Sequence, residues 1–218
     1  MSPRTRKLLP WIVTVAIATV AAATIAVIAI GNDADQAEAE ASVQVVRENS
    51  HRIDVGPADG PVLVEFLDFE CEACGAMYPE VEKLREKYNG DFTYIIRYFP
   101  IPSHGNSTNA ALAVEAAAQQ GKLEEMYRMM FETQSQWGES QESRMGLFRE
   151  YAVALELDMA LFDRAIGDPA TLERVQFDFE EGQTLGVEST PTFFLDGEKL
   201  TLETLTSVDE ALTKALTK

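Results

Sequence analysis

Two cysteines stand in this chain of 218 residues, and both lie in one C-x-x-C, Cys71-Glu-Ala-Cys74. A thiol pair at that spacing closes a disulfide within one helical turn, so it can shuttle between a dithiol and a disulfide. The other common use of C-x-x-C is half of a metal site. Here no second C-x-x-C exists and His51 and His104 are the only histidines, which disfavours a closed four-ligand zinc set. Nor can one pair supply the several bridges that staple small secreted domains. The expectation is redox chemistry, with no resident metal and no cofactor beyond a Cys71–Cys74 disulfide.

Such a pair needs an element that sets one sulfur apart from the other. Residues 61–69 are apolar and β-branched over a strand's length, bounded by Gly60-Pro61 before and the cysteine turn after. From Cys71 the pattern becomes helical, with Met77, Val81, Leu84 and Tyr88 on one face and Asn89-Gly90 as a stop. Cys71 then falls at a helix N-terminus, where unpaired N–H groups and the dipole favour a thiolate, and Cys74 lies one turn in. Cys71 is the expected nucleophile and Cys74 its less exposed partner. Glu65 falls mid-strand among apolar residues; a carboxyl buried there has a raised pKa suited to proton exchange with Cys74.

Residues 92–99 read as a second strand, and strand, helix, strand is the unit of a parallel sheet. Helical patterns then fill 107–120, 122–133, 144–156, 159–166 and 169–185, before strand character resumes at 192–195. Asp196-Gly197 is a hairpin turn into Lys199-Leu200, and a last helix is expected over 202–216. The fold class is α/β with an all-helical insertion at about 103–186. Met126, Met129, Met130 and Phe131 at helical spacing read as core before they read as a peptide groove, and Trp137 is expected to pack within the insertion. His104 lies in a loop and receives no role.

Before this domain, taken as 43–218, residues 1–7 carry Arg4, Arg6 and Lys7, residues 8–30 form an apolar run, and residues 31–42 form an acidic tether. The run matches the thickness of a bilayer, and the charges flanking it predict an uncleaved transmembrane signal-anchor with a cytoplasmic N-terminus. A cleaved signal peptide ending near Ala37-Glu-Ala39 is the alternative. The expected localisation is thus a single-pass protein of the cytoplasmic membrane with its catalytic domain outside. Lys and Arg number 18 against 36 Asp and Glu, a net charge of -18, which argues against nucleic acid as a partner.

The residues around the cysteines resemble the DsbA-like branch of the thioredoxin superfamily. Val64-Glu-Phe-Leu-Asp-Phe-Glu-Cys-Glu-Ala-Cys74 is similar to its active-site segment, Pro79 to the proline that follows in the helix, and Ser189-Thr-Pro-Thr-Phe-Phe194 to its cis-proline loop. The resemblance implies a thioredoxin-like fold, a cis Thr190–Pro191 bond, and substrate binding by Thr190 and Pro191. It implies Glu65 as the buried acid beneath the cysteines. The partners it implies are cysteine-containing exported proteins and a membrane or soluble redox partner that resets the thiols. Glu72-Ala73 departs from the proline and histidine of the best-known oxidases, and with Asp68 and Glu70 nearby it is expected to make Cys71 less acidic than in a strong oxidant. Disulfide formation is the expected direction. Reductase or isomerase chemistry on the same fold is the alternative, and a copper carrier using the cysteines and one histidine is a reading of a different class.

Overall fold

The computed structural model describes residues 44–217. The described residues form a five-stranded sheet from β1 (His51–Asp54), β2 (Val62–Leu67), β3 (Thr93–Tyr98), β4 (Thr192–Leu195) and β5 (Glu198–Lys199). The strand order is β1-β3-β2-β4-β5, with β2 parallel to β3 and the other pairs antiparallel. The α/β expectation holds. β2 lies at the centre because every residue from Leu63 to Leu67 is buried, so it needs a partner on both edges and cover on both faces.

Between β2 and β3 runs α1 (Glu72–Lys87), and between β3 and β4 run α2 (Ser107–Ala118), α3 (Leu123–Glu132), α4 (Met145–Ala154), α5 (Met159–Gly167) and α6 (Pro169–Thr184). α7 (Ser207–Leu216) closes the described chain. The period of two divides the strands between two cores. Leu63, Leu67, Tyr94, Ile96 and Phe193 face α1, α7 and the insertion, while Val64, Phe66, Ile95 and Phe194 pack with Phe99 and Val187 on the other side. Glu65 shares parity with Leu63 and Leu67, and so points toward α1.

The insertion is built around α2, whose alanines Ala110, Ala113, Ala116 and Ala117 are fully buried and let the neighbouring helices approach. Met126 and Met130 are fully buried in that core and Phe131 nearly so. Trp137 meets Phe148 edge-on at 4.9 Å. α6 returns across the sheet under two constraints. A Cβ at Gly182 would come within 2.8 Å of the Phe99 ring. Arg97, fully buried on β3, donates to Asp178 at 2.6 and 2.8 Å and to Glu181 at 2.6 Å, so the ion is matched where it is desolvated.

Three expectations are corrected. No helix among the described residues is long and apolar enough to cross a membrane, and the run 8–30 behind the transmembrane and membrane-localisation expectations lies outside them, as do the segments 1–7 and 31–42. Membrane localisation is therefore withdrawn. β1 is a strand that the sequence reading lacked. The final helix starts at Ser207 rather than at 202, because the Ser207 hydroxyl accepts the N–H groups of Glu203 and Thr204 at 3.1 and 3.0 Å and holds that stretch as a turn.

Candidate active site

Cys71 is the N-cap of α1, with extended φ and ψ of -67° and 121°. Its carbonyl accepts the Gly75 N–H at 3.0 Å, closing the first turn and carrying Cys74 beneath it. Cys71 as a whole is 8 % exposed. Its pKa is lowered from 9.0 to about 5, first by the hydrogen bond from the Cys74 thiol, with Thr190 and the N–H groups of Cys74 and Ala73 adding to it against the opposing effect of burial. That value lies between roughly 7 for thioredoxin and roughly 3.5 for a strong oxidase. Cys74, 1 % exposed, moves the other way: burial pushes its pKa up, aided by its bond to Cys71 and by the charge of Glu65. One sulfur is thus a ready thiolate and the other a buried thiol.

Glu65 is 3 % exposed and its pKa is raised from 4.5 to about 8 by burial, which outweighs the hydrogen bond from the Tyr94 hydroxyl. At neutral pH it is a carboxylic acid, able to give a proton to a Cys74 thiolate or, once ionised, to take one from the thiol. Tyr94 also lies 3.3 Å from the Tyr127 hydroxyl of α3, so the acid is wired into the insertion.

The segment before β4, the strand paired with β2, reaches the cysteines. Thr190–Pro191 is a cis peptide, and Cys71 Sγ lies 3.4 Å from the Thr190 carbonyl oxygen. The loop is fixed from within by the Thr192 hydroxyl, which donates to the Ser189 carbonyl at 2.7 Å. Of the residues expected here, the structure brings Cys71, Cys74 and Thr190 together, with Pro191 next in the chain after the cis bond and Glu65 near Cys74. Cys71 opens on a cleft of about 430 Å³ that is also lined by Glu70, Glu72, His104 and Glu139. Among the described residues no group of three or more His, Cys, Asp or Glu is arranged to hold a metal ion.

Residues 48–214 match the family model described as thioredoxin. The chain belongs to the thioredoxin family. A thioredoxin-like oxidoreductase from Silicibacter pomeroyi DSS-3 superposes with a TM-score of 0.65 at 23% identity, over 81% of this chain and 97% of that one. Alpha-DsbA1 from Wolbachia pipientis superposes with a TM-score of 0.67 at 20% identity, over 79% and 93%. The fold is therefore the DsbA-like elaboration of thioredoxin that the sequence resembles. A curated relative from Mycobacterium sp. (strain KMS), named Na(+)/H(+) antiporter NhaA 1, is 37% identical over 150 residues. Those residues are 66% of this chain and 23% of that protein, so the chain spans under a quarter of its relative.

Within this thioredoxin-family domain, three features escaped the sequence reading. The acids set against the thiolate are otherwise engaged: Asp68 accepts from Ile101 N at 3.0 Å and Glu70 N at 2.9 Å and lies 2.6 Å from His104 Nδ1, and Glu70 accepts from Asn106 N at 2.5 Å. Gln134, in the turn after α3, donates through Nε2 to the carbonyls of Phe69 at 2.8 Å and Cys71 at 2.9 Å, and so braces the active-site loop from the insertion. Tyr94 is the third. All depend on contacts between residues far apart in the chain; only the buried position of Tyr94 on an apolar strand, in register with Leu63 two residues before Glu65, offered a local signal.

Proposed function

We propose that this protein is a protein thiol:disulfide oxidoreductase that passes a Cys71–Cys74 disulfide to cysteine-containing proteins. The observation that carries the reading is the asymmetry of the pair: a thiolate-prone Cys71 at a helix N-terminus facing a cleft, over a buried Cys74 whose pKa is driven upward. A substrate thiolate attacks the Cys71 sulfur, the Cys71–Cys74 bond breaks, and Cys74 leaves as a thiolate that takes the proton of Glu65. A second substrate thiolate then attacks the substrate sulfur of the mixed disulfide and Cys71 leaves. The substrate has lost two electrons and the enzyme has gained them, to be removed by an external redox partner. The direction follows from leaving-group strength, since a Cys71 thiolate stable near neutral pH departs readily and stabilises the reduced enzyme. Thr190 and Pro191 flank the exchange and hold the substrate segment.

Mixed-disulfide trapping tests this. Cys74→Ala keeps the attacking sulfur but not the resolving one, so with a protein that carries a disulfide its Cys71 thiolate should open that bond and accumulate as a long-lived mixed disulfide on non-reducing gels. Cys71→Ala should trap little and lose turnover. Equal trapping by both variants would overturn the assigned order of attack, and trapping by neither, with no oxidation of a reduced dithiol peptide by the unaltered protein, would end the reading.

A further inference from the structure

The cleft beside Cys71 holds a carboxylate with an unused acceptor. Glu70 is 4 % exposed and forms part of the cleft wall. Its Oε2 accepts the Asn106 N–H at 2.5 Å, but its Oε1 is buried with no hydrogen-bond partner among the described residues. A buried acceptor left open is a standing cost that an incoming donor removes. At the rim, Glu72 of α1 and Glu139 of the insertion approach closely enough that Glu72 raises the Glu139 pKa, which a positive charge placed beside them would relieve. Glu139 is held there by a loop with a positive φ of 60°. The cleft residues include no Lys or Arg, and the imidazole of His104 spends its Nδ1 on Asp68 at 2.6 Å. Every fixed charge facing the reactive sulfur is therefore negative or paired, within a chain of net charge -18.

We propose that this cleft is a subsite for a cationic side chain, so that the protein selects substrate segments carrying Arg or Lys beside the reactive cysteine, with Glu70 as the buried anchor and Glu72 and Glu139 as the outer pair. The inference rests on the reading of Cys71 as the sulfur that meets substrate. An arginine suits the site better than a lysine, since its fork can donate to Glu70 Oε1 while its outer N–H groups meet the rim. The rim pair also draws cationic segments toward the cleft before contact, an effect that salt screens.

The test separates binding from exchange. Short fluorescent peptides carry Arg, Ala or Glu beside a central residue that is Ser for binding and Cys for exchange. The full chain should bind the Arg peptide tighter than the Ala peptide by on the order of tenfold, the factor one charge-assisted hydrogen bond supplies, and the Glu peptide weakest. In Glu70→Gln the Arg preference should collapse. The exposed double variant Glu72→Gln/Glu139→Gln, which leaves the buried network alone, should lose most of the salt dependence of that preference. Equal affinity of the Arg and Glu peptides for the unaltered protein overturns the subsite, as does an Arg preference that both variants retain. If the Ser peptides discriminate as expected while no Cys peptide is ever oxidised, the subsite stands and the proposed activity falls.

Discussion

A carboxyl that is neutral at pH 7 inside a folded core carries a stability penalty, and Glu65 shows its sign. Its pKa is raised from 4.5 to about 8 by burial. Below pH 4.5 both folded and unfolded chains hold the proton and nothing is lost. As pH rises toward 8 the unfolded chain releases the proton while the folded chain keeps it, so stability falls across that window and levels off above it. At pH 7 the accumulated loss is roughly 3 kcal/mol. Glu65→Gln, which can still accept from Tyr94, should therefore be more stable than the unaltered protein at pH 7 and equal to it near pH 4. Urea unfolding of the oxidised forms, in which no thiol titrates, checks this at both values. The same variant should slow turnover, since Cys74 loses its proton source. A variant with unchanged stability at pH 7 would mean that Glu65 is ionised and solvated in the fold.

Among the elements, the bond between α1 and the insertion is the most exacting. A Cβ at Gly75 would lie 2.0 Å from Gln134 Oε1, the end of the side chain whose Nε2 holds the Phe69 and Cys71 carbonyls. Gly75→Ala therefore expels Gln134 and breaks both bonds. Gln134→Ala breaks them directly, at about 1–2 kcal/mol. The two losses should not add. With Gln134 already truncated, Gly75→Ala should cost little or even gain up to about 1 kcal/mol of helix propensity. Denaturant midpoints of the single and double variants measure the coupling, and additive losses would separate the two residues.

The same scale shows what could be read in advance. α1, β3 and the five insertion helices were legible because their apolar patterns are long and their stops are strong, as at Asn89-Gly90 after α1 and Pro100 after β3. β1 was not: His51-Arg-Ile-Asp54 is short, mostly polar, and bulged between Arg52 and Asp54, so its strand state comes from pairing with β3. The cysteines, the cis-proline loop and Glu65 were legible as a set because each keeps its neighbours in sequence. Glu139 and Gln134 were not, since only the folded insertion carries them to Cys71. Asp68 and Glu70 were legible in part: their proximity to the cysteine was plain, but not the N–H groups of Ile101 and Asn106 that they accept.

For the whole molecule, the redox state of two atoms is coupled to global stability, and the Cys71 pKa gives the sign. Its folded value is depressed from 9.0 to about 5. A depressed acid contributes stability that is fully present above the unfolded pKa, declines as pH falls below 9, and is gone once pH passes below about 5. Only the reduced protein has this contribution, because the disulfide does not titrate. Glu65 titrates in both forms and largely cancels in the difference, while the raised pKa of Cys74 matters only above the range of interest. The melting temperature of the reduced protein minus that of the oxidised protein should therefore be nearly flat below pH 5 and climb between pH 5 and pH 8. A reduced form that gains on the oxidised form in this way makes the disulfide an oxidant, since the free energy favouring the folded dithiol is the free energy driving electrons into the pair. Paired melting scans from pH 4 to pH 8 decide the matter. A difference that stays constant across that range would place the Cys71 pKa near that of an ordinary thiol and turn the proposed direction toward reduction.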